Sequence, residues 1–269
     1  MFSDFIFLST FVIFLLFGLV FGSFAGVLIY RLPRGFKIGV SRSRCDDCKT
    51  QLAGFDNIPV LSYIMLKGKC RYCGVPISRR YPFFELFVAF LWVLPVLLGQ
   101  APVPALVSAL FTTALFVIAV VDFEFMIVPD SMLVVIAVLS VPGFILPILP
   151  NPVSRLMGAF AAGAFFYLLA VLSEKILKKE GMGGGDIKLV FAAGLILGWQ
   201  MIALAIGLAA VAALFMVVIL RLVSKEQNED KQIPFAPALT VGIAISHYFG
   251  HDLIQWYLGV VLGPMPLCC

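Results

Sequence analysis

The sequence predicts an all-α polytopic membrane protein of about eight transmembrane helices with a small cytoplasmic zinc-ribbon-like insertion. Three observations predict it. Of 269 residues, 62% are hydrophobic and only 13% charged, and the mean hydropathy is +1.07, well outside the range of soluble globular domains. Apolar runs recur along the chain, each near the roughly 20 residues a helix needs to cross a hydrocarbon core. Between the first two lies the one substantial polar stretch, and it carries two C-x-x-C pairs. The chain therefore divides into a first helix over 1–30, an insertion over 31–82 and seven helices over 83–269.

The apolar runs fall near 5–30, 83–99, 103–121, 131–149, 155–173, 187–203, 204–222 and 238–262. The division between the sixth and seventh is the weakest, because residues 189–220 are one apolar stretch broken only by Gly198, Trp199 and Gln200. The first run has no basic n-region, since Asp4 is the only charge before Arg31; it is expected to stay uncleaved. Of 19 lysines and arginines, eleven lie in 31–81, four in 175–188, and Arg221, Lys225 and Lys231 cluster around the last polar loop. Eight spans put all three regions on one face, which the positive-inside rule makes the cytoplasm; only Arg155 lies opposite. Both termini are then extracytoplasmic. The net charge of +4 follows from this topology, so no nucleic-acid partner is expected, whereas membrane lipid is.

In the first span, Gly18, Gly22 and Gly26 repeat at the small-xxx-small spacing that lets membrane helices approach closely, and packing is the expected role. The insertion carries Cys45-Asp46-Asp47-Cys48 and Cys70-Arg71-Tyr72-Cys73. Two such pairs about twenty residues apart suit a tetrahedral four-cysteine zinc site. A pair of disulfides is the competing reading, disfavoured in a reducing cytoplasm. Four thiolates close the coordination shell, which points to a structural metal. Cys268 and Cys269 have no such spacing and receive no role.

Glu85 sits about one turn inside the second span. An ionisable group at membrane depth is a functional candidate; the plainer reading pairs it with Arg79 or Arg80. The third span runs into Val121-Asp122-Phe123-Glu124-Phe125-Met126-Ile127-Val128-Pro129-Asp130. Asp130 and Ser131 suit the N-cap of the next helix, while Asp122 has no such local task. After the charge run at 174–180 comes Gly181-Met182-Gly183-Gly184-Gly185-Asp186-Ile187-Lys188. It matches neither the G-x-G-x-x-G dinucleotide loop nor the P-loop. Glycines at this density keep the backbone open to close approach, so Gly183, Gly184, Gly185 and Lys188, with Glu85, are the candidates to support a bound substrate chain. Valine at 183 or 185 is expected to slow turnover without unfolding the protein. Prolines 234 and 237 frame the start of the last span, where His247 and His251 stand at i and i+4; no H-E-x-x-H motif accompanies them.

Asp122 and Asp186 come from different spans, yet the topology brings both to the cytoplasmic membrane edge. Two carboxylates in a poorly solvated site cannot comfortably both ionise, so the pair holds one proton between them. One member then activates water and the other protonates the carbonyl or leaving group. This is aspartic-protease chemistry, and it needs no serine, cysteine or metal at the reacting centre. The plainer alternative is two interfacial acids capping helices.

These residues resemble the prepilin peptidases, or type IV leader peptidases, intramembrane aspartic proteases of the G-x-G-D class. The resemblance covers nearly the whole chain: Gly22-Ser23-Phe24 with Ile29-Tyr30-Arg31-Leu32-Pro33, both C-x-x-C pairs, Arg80-Tyr81-Pro82 with Glu85, Asp122 with Val128-Pro129-Asp130, Gly183-Gly184-Gly185-Asp186 with Lys188, and Pro234-Phe235 with Pro237. It implies that Asp122 and Asp186 are the catalytic pair, in a peptidase domain over 83–269 of the bacterial cytoplasmic membrane. The implied substrates are type IV prepilins or pseudopilins, cut after a glycine to release a short basic leader at the cytoplasmic face. It further implies N-methylation of the new terminus with S-adenosylmethionine, associated with the 31–82 domain, whose four cysteines look like the family's zinc-binding feature. One position departs from the family pattern G-S-F-x-N-V: Gly26 stands where asparagine is usual, which touches methylation and leaves proteolysis aside. A different class, a proton-coupled transporter with a regulatory zinc ribbon, would also use such carboxylates. Against it, the acids gather at one face and no internal repeat is evident.

Overall fold

The computed structural model describes residues 2–36, 43–45, 47–177, 183–223 and 234–262. It is helical: α1 (Phe2–Arg31), α2 (Leu61–Met65), α3 (Arg80–Leu97), α4 (Pro102–Phe125), α5 (Asp130–Ser140), α6 (Pro152–Leu177), α7 (Gly184–Val223) and α8 (Ala236–Leu262). Among the described residues, five helices are long and apolar enough to cross a membrane, namely α1, α3, α4, α6 and α7. The chain forms two compact units, residues 1–117 and 118–269, and the last turns of α4 belong to the second.

In the first unit α1 packs on α3, and the glycine stripe explains how. A Cβ at Gly18 would fall 2.7 Å from the Ala89 Cα, and one at Gly22 would fall 2.6 Å from the Glu85 Cα, so only glycine permits the approach. Gly26 departs from the expected packing role. Its nearest neighbour would be Tyr81 Cδ1 at 3.9 Å. One turn-pair above, Trp92 is buried, lies against Phe21 with ring centroids 4.6 Å apart, and donates from Nε1 to Thr113 Oγ1 at 3.0 Å, tying α3 to α4.

In the second unit α7 is the hub, packing on α5, α6 and α8. An unbroken helix of its 40 residues would be about 60 Å long at 1.5 Å per residue, twice a hydrocarbon core. The expected division at 203/204 falls instead at Gly198, whose φ of +78° and ψ of 174° interrupt the helix. That conformation is essentially confined to glycine. The predicted fourth span, 131–149, is also shorter than expected: α5 ends at Ser140, a single 3-10 turn follows to Phe144, and Pro142 and Pro147 remove the N–H groups a longer helix needs.

Both irregularities meet at Arg155, which is 0% exposed. Its Nε donates to the Leu195 carbonyl at 2.5 Å, its Nη2 donates to the Ser140 carbonyl, and its guanidinium lies over the Phe144 ring at 4.1 Å. The break in α7 and the end of α5 leave C-terminal carbonyls without helical partners, and one cation serves both. Arg155, the one basic residue that the topology expectation places opposite the others, is an internal strut in the fold.

Candidate active site

Asp122 lies near the end of α4 and Asp186 in the first turn of α7, and both are 7% exposed. They are close enough that the charge of Asp122 acts on Asp186. Each is held by the start of a helix. Asp122 Oδ2 accepts the backbone N–H of Ala236 at 3.2 Å, taking one of the unsatisfied donors at the N-terminus of α8. Asp186 stands three residues after Gly183, whose backbone hydrogen-bonds its carboxylate. This is the carboxylate half of a capping box. Each acid thus meets the start of a helix, as the capping alternative expects.

The turn between α4 and α5 completes the arrangement. Met126 takes a left-handed φ of +56° and its N–H returns to the Asp122 carbonyl at 2.8 Å. The chain reverses so that Val128 rests on Gly185. A Cβ on Gly185 would lie 2.7 Å from Val128 Cβ, whereas one on Gly183 would meet Asp186 Oδ2 at an ordinary 3.7 Å and one on Gly184 would meet nothing. Gly185 is therefore a packing glycine, which corrects its expected role as open backbone; Gly183 and Gly184 retain the space that role requires. The N-cap of α5 is Pro129 with no side-chain cap, so the expected cap by Asp130 is absent. Asp130 Oδ1 instead pairs with Lys188 Nζ at 2.8 Å, linking the first turns of α5 and α7. The sequence marks Val128 only as part of the V-P-D motif and Ala236 only by the prolines on either side of it, and gives neither a role at the site.

Cys45, Cys48, Cys70 and Cys73 form a second constellation, in the first unit, with all four sulfurs within 4.8 Å of one another. The two pairs are built alike. Lys49 N–H bonds the Cys45 carbonyl at 3.1 Å and Gly74 N–H bonds the Cys70 carbonyl at 3.0 Å; Cys45 N–H and Cys70 N–H reach Thr50 and Val75 carbonyls at 3.0 and 2.9 Å. Lys49 and Gly74 both adopt left-handed φ, +56° and +73°. A tetrahedral zinc with Zn–S of about 2.3 Å requires sulfur–sulfur edges of about 3.8 Å, and Cys45 Sγ to Cys73 Sγ measures 3.8 Å. Hydrogen bonds from Thr50 bring the Cys48 thiol down to about 6. At Cys73 the backbone N–H of Val75 acts downward, but desolvation and the neighbouring thiols outweigh it and push the thiol up to about 12. These residues could hold a metal ion.

Glu85 belongs to the first unit. Its Oε2 accepts the Val60 N–H at 2.7 Å and its carboxylate also takes the Ser23 side chain, so α1, α3 and the insertion share one acid. Val60 itself has a left-handed φ of +61°, which no sequence signal announced.

Fold and site together define a helical integral membrane protein with a buried carboxylate pair and a four-cysteine cluster. Residues 16–98 match the Bacterial Peptidase A24 N-terminal domain and residues 109–218 the Type IV leader peptidase family. The Aeromonas hydrophila protein named prepilin leader peptidase/N-methyltransferase is 31% identical over 274 residues, covering 90% of this chain and 92% of that protein. Its namesake in Bacillus subtilis (strain 168) is 31% identical over 251 residues, 92% and 98% of the two chains, and that in Klebsiella pneumoniae is 34% identical over 206 residues, 73% and 89%. No solved structure matches. The chain belongs to the type IV leader peptidase family and is an enzyme of that family.

Proposed function

We propose that this protein is an intramembrane aspartic endopeptidase that removes the basic leader from type IV prepilins or pseudopilins. The observation that carries this reading is the buried pair Asp122 and Asp186, each anchored at a helix N-terminus and each within reach of the other's charge. With one proton between them, the ionised member takes a proton from water as it attacks the scissile carbonyl. The protonated member donates to the carbonyl oxygen, and collapse of the tetrahedral species with proton transfer to the amine breaks the C–N bond. Gly183 and Gly184 leave the backbone beside Asp186 open to an extended substrate, and Lys188 stands beside it.

The domain division follows: a first helix over 1–30, a tetracysteine domain over 31–82 and a peptidase domain over 83–269. Eight crossings are obtained by counting α5, α8 and the two segments of α7 divided at Gly198 with α1, α3, α4 and α6. The positive-inside rule then puts the aspartates at the cytoplasmic face of the bacterial inner membrane and both termini outside. Cys45, Cys48, Cys70 and Cys73 would hold a structural zinc, which would cross-link the two turns of the insertion. The relatives' second named activity extends to this chain as N-methylation of the new terminus. S-adenosylmethionine, when bound, supplies the methyl group for it.

The test is intact-mass spectrometry of a prepilin co-expressed with the wild type, Asp122→Asn or Asp186→Asn. Leader loss with the wild type and with neither variant is expected. Cleavage surviving in both variants would overturn the catalytic pair, and a leader retained by well-folded wild type across several prepilins would overturn the peptidase reading.

A further inference from the structure

We infer that residues 54–66, the turn before α2 and α2 itself, form an interfacial anchor whose outer face lies in phospholipid at the Arg80 end of α3. The helix is turned inside out. In a water-borne insertion the exposed face of a helix should be polar, yet the exposed side chains of α2 are Leu61, Ile64 and Met65, at 58%, 64% and 78%. Their i, i+3, i+4 spacing puts them on one face. Ser62, Tyr63 and, just past the helix, Leu66 turn the other way and line a cavity of about 800 Å³ shared with Gly26 of α1 and Glu85 of α3. Phe55, also exposed, precedes them. An apolar patch of this kind marks a surface that meets something other than water.

Depth sets what that medium is. One of the helices long and apolar enough to cross a membrane is α3. Its 18 residues make about 27 Å at 1.5 Å per residue, so a hydrocarbon core of about 30 Å takes the whole helix. Glu85 is the sixth of those residues, about 7.5 Å from the Arg80 end. Its Oε2 accepts the Val60 N–H at 2.7 Å, and Val60 is the N-cap of α2, so the start of α2 is pinned at that level. Amphipathic helices that lie on membranes sink roughly 5–10 Å into the boundary between headgroups and acyl chains, which is the same depth.

The chemistry of the segment suits that boundary. Backbone at membrane depth must satisfy its polar groups within the protein, and the donors here do so. Ser62 and Ile64 N–H reach the Ile58 and Val60 carbonyls at 3.1 and 3.0 Å, and Leu66 N–H reaches the Ser62 carbonyl at 3.0 Å. The Ser62 hydroxyl donates to the Phe55 carbonyl at 2.6 Å, and Pro59 has no N–H to place. From Gly54 to Leu66 the only charged residue is Asp56. Its side chain is 2% exposed and pairs with Arg71 at 2.8 Å, whose guanidinium also lies over the Phe55 ring at 4.8 Å. The exposed Lys67 and Lys69 follow α2 directly, where long cationic side chains extend to headgroup phosphates while their stems stay with the apolar surface.

The test places an environment-sensitive fluorescent amino acid at Met65 of the full-length chain in phospholipid nanodiscs, with the same label at the exposed Phe90 of α3 as the lipid-facing reference. Lipids brominated in their acyl chains are expected to quench position 65 nearly as strongly as position 90, and aqueous iodide to quench it weakly. Should the label at 65 lower the thermal midpoint, a label at Leu61 reads the same face. A second arm puts a benzophenone side chain at Ile64 and maps its photoadducts by mass spectrometry in membranes that also contain a prepilin; phospholipid adducts are expected. Strong iodide quenching with no loss of emission to bromolipid overturns the inference, as do adducts confined to the prepilin or to a second copy of this chain. Each of these failures leaves the peptidase reading intact, because the aspartates lie in the other compact unit and leader cleavage is read separately.

Discussion

Arg155 shows how one residue resolves a conflict that the rest of the fold creates. A guanidinium with no exposed surface is costly unless it is well satisfied, and here the carbonyls released at Leu195 and Ser140 do much of that. Arg155→Met would leave both without their donor, at about 1–3 kcal/mol. Thermal unfolding in detergent should therefore show a lower midpoint, and an unchanged one would remove the strut from the account. Gly198 acts through backbone alone. With φ of +78° and a Cβ site 2.7 Å from Ser154 Oγ, Gly198→Ala should cost about 1–3 kcal/mol, read by the same melt, whereas Gly207→Ala, with open space around it, should be near neutral or stabilising.

Between elements, the active-site geometry depends on a short α7 start docked on the α4–α5 turn. Val128 and Gly185 make that contact, so Gly185→Val should lower both turnover and thermal midpoint. Gly183→Val has room for its side chain and should reduce turnover with the midpoint preserved, because it obstructs substrate and not packing. Parallel kinetics and melts separate the two; identical behaviour would mean that Gly185 is not a packing residue. The cysteine turns form the other decisive element. Cys45→Ser is expected to take metal content from about one equivalent towards zero and to raise hydrogen exchange over residues 43–77. Leader cleavage should largely survive, since the aspartates lie in a separate compact unit; parallel loss of cleavage would show that the insertion is needed for proteolysis.

At the scale of the molecule, the proposed topology puts both ends of the chain outside. A reporter active only outside the cytoplasm, fused after residue 269, should be active, and a fusion within 224–233 should be silent; the reverse pattern would invert the placement of the aspartates. The helical class, the family and the clustering of the cysteines were legible in the sequence, because hydropathy and spacing are local properties. Membrane helices, the paired cysteines and the two aspartates in their motifs all follow from counting along the chain. What the sequence did not determine was which of several local tasks each residue performs: that Gly18, Gly22 and Gly185 pack while Gly26 faces a cavity, that Asp130 pairs with Lys188 and caps nothing, that α7 breaks at Gly198, and that Arg155 is buried. Those assignments depend on neighbours distant along the chain, and only the tertiary structure decides which glycine meets a backbone and which carbonyl is left for a cation to satisfy.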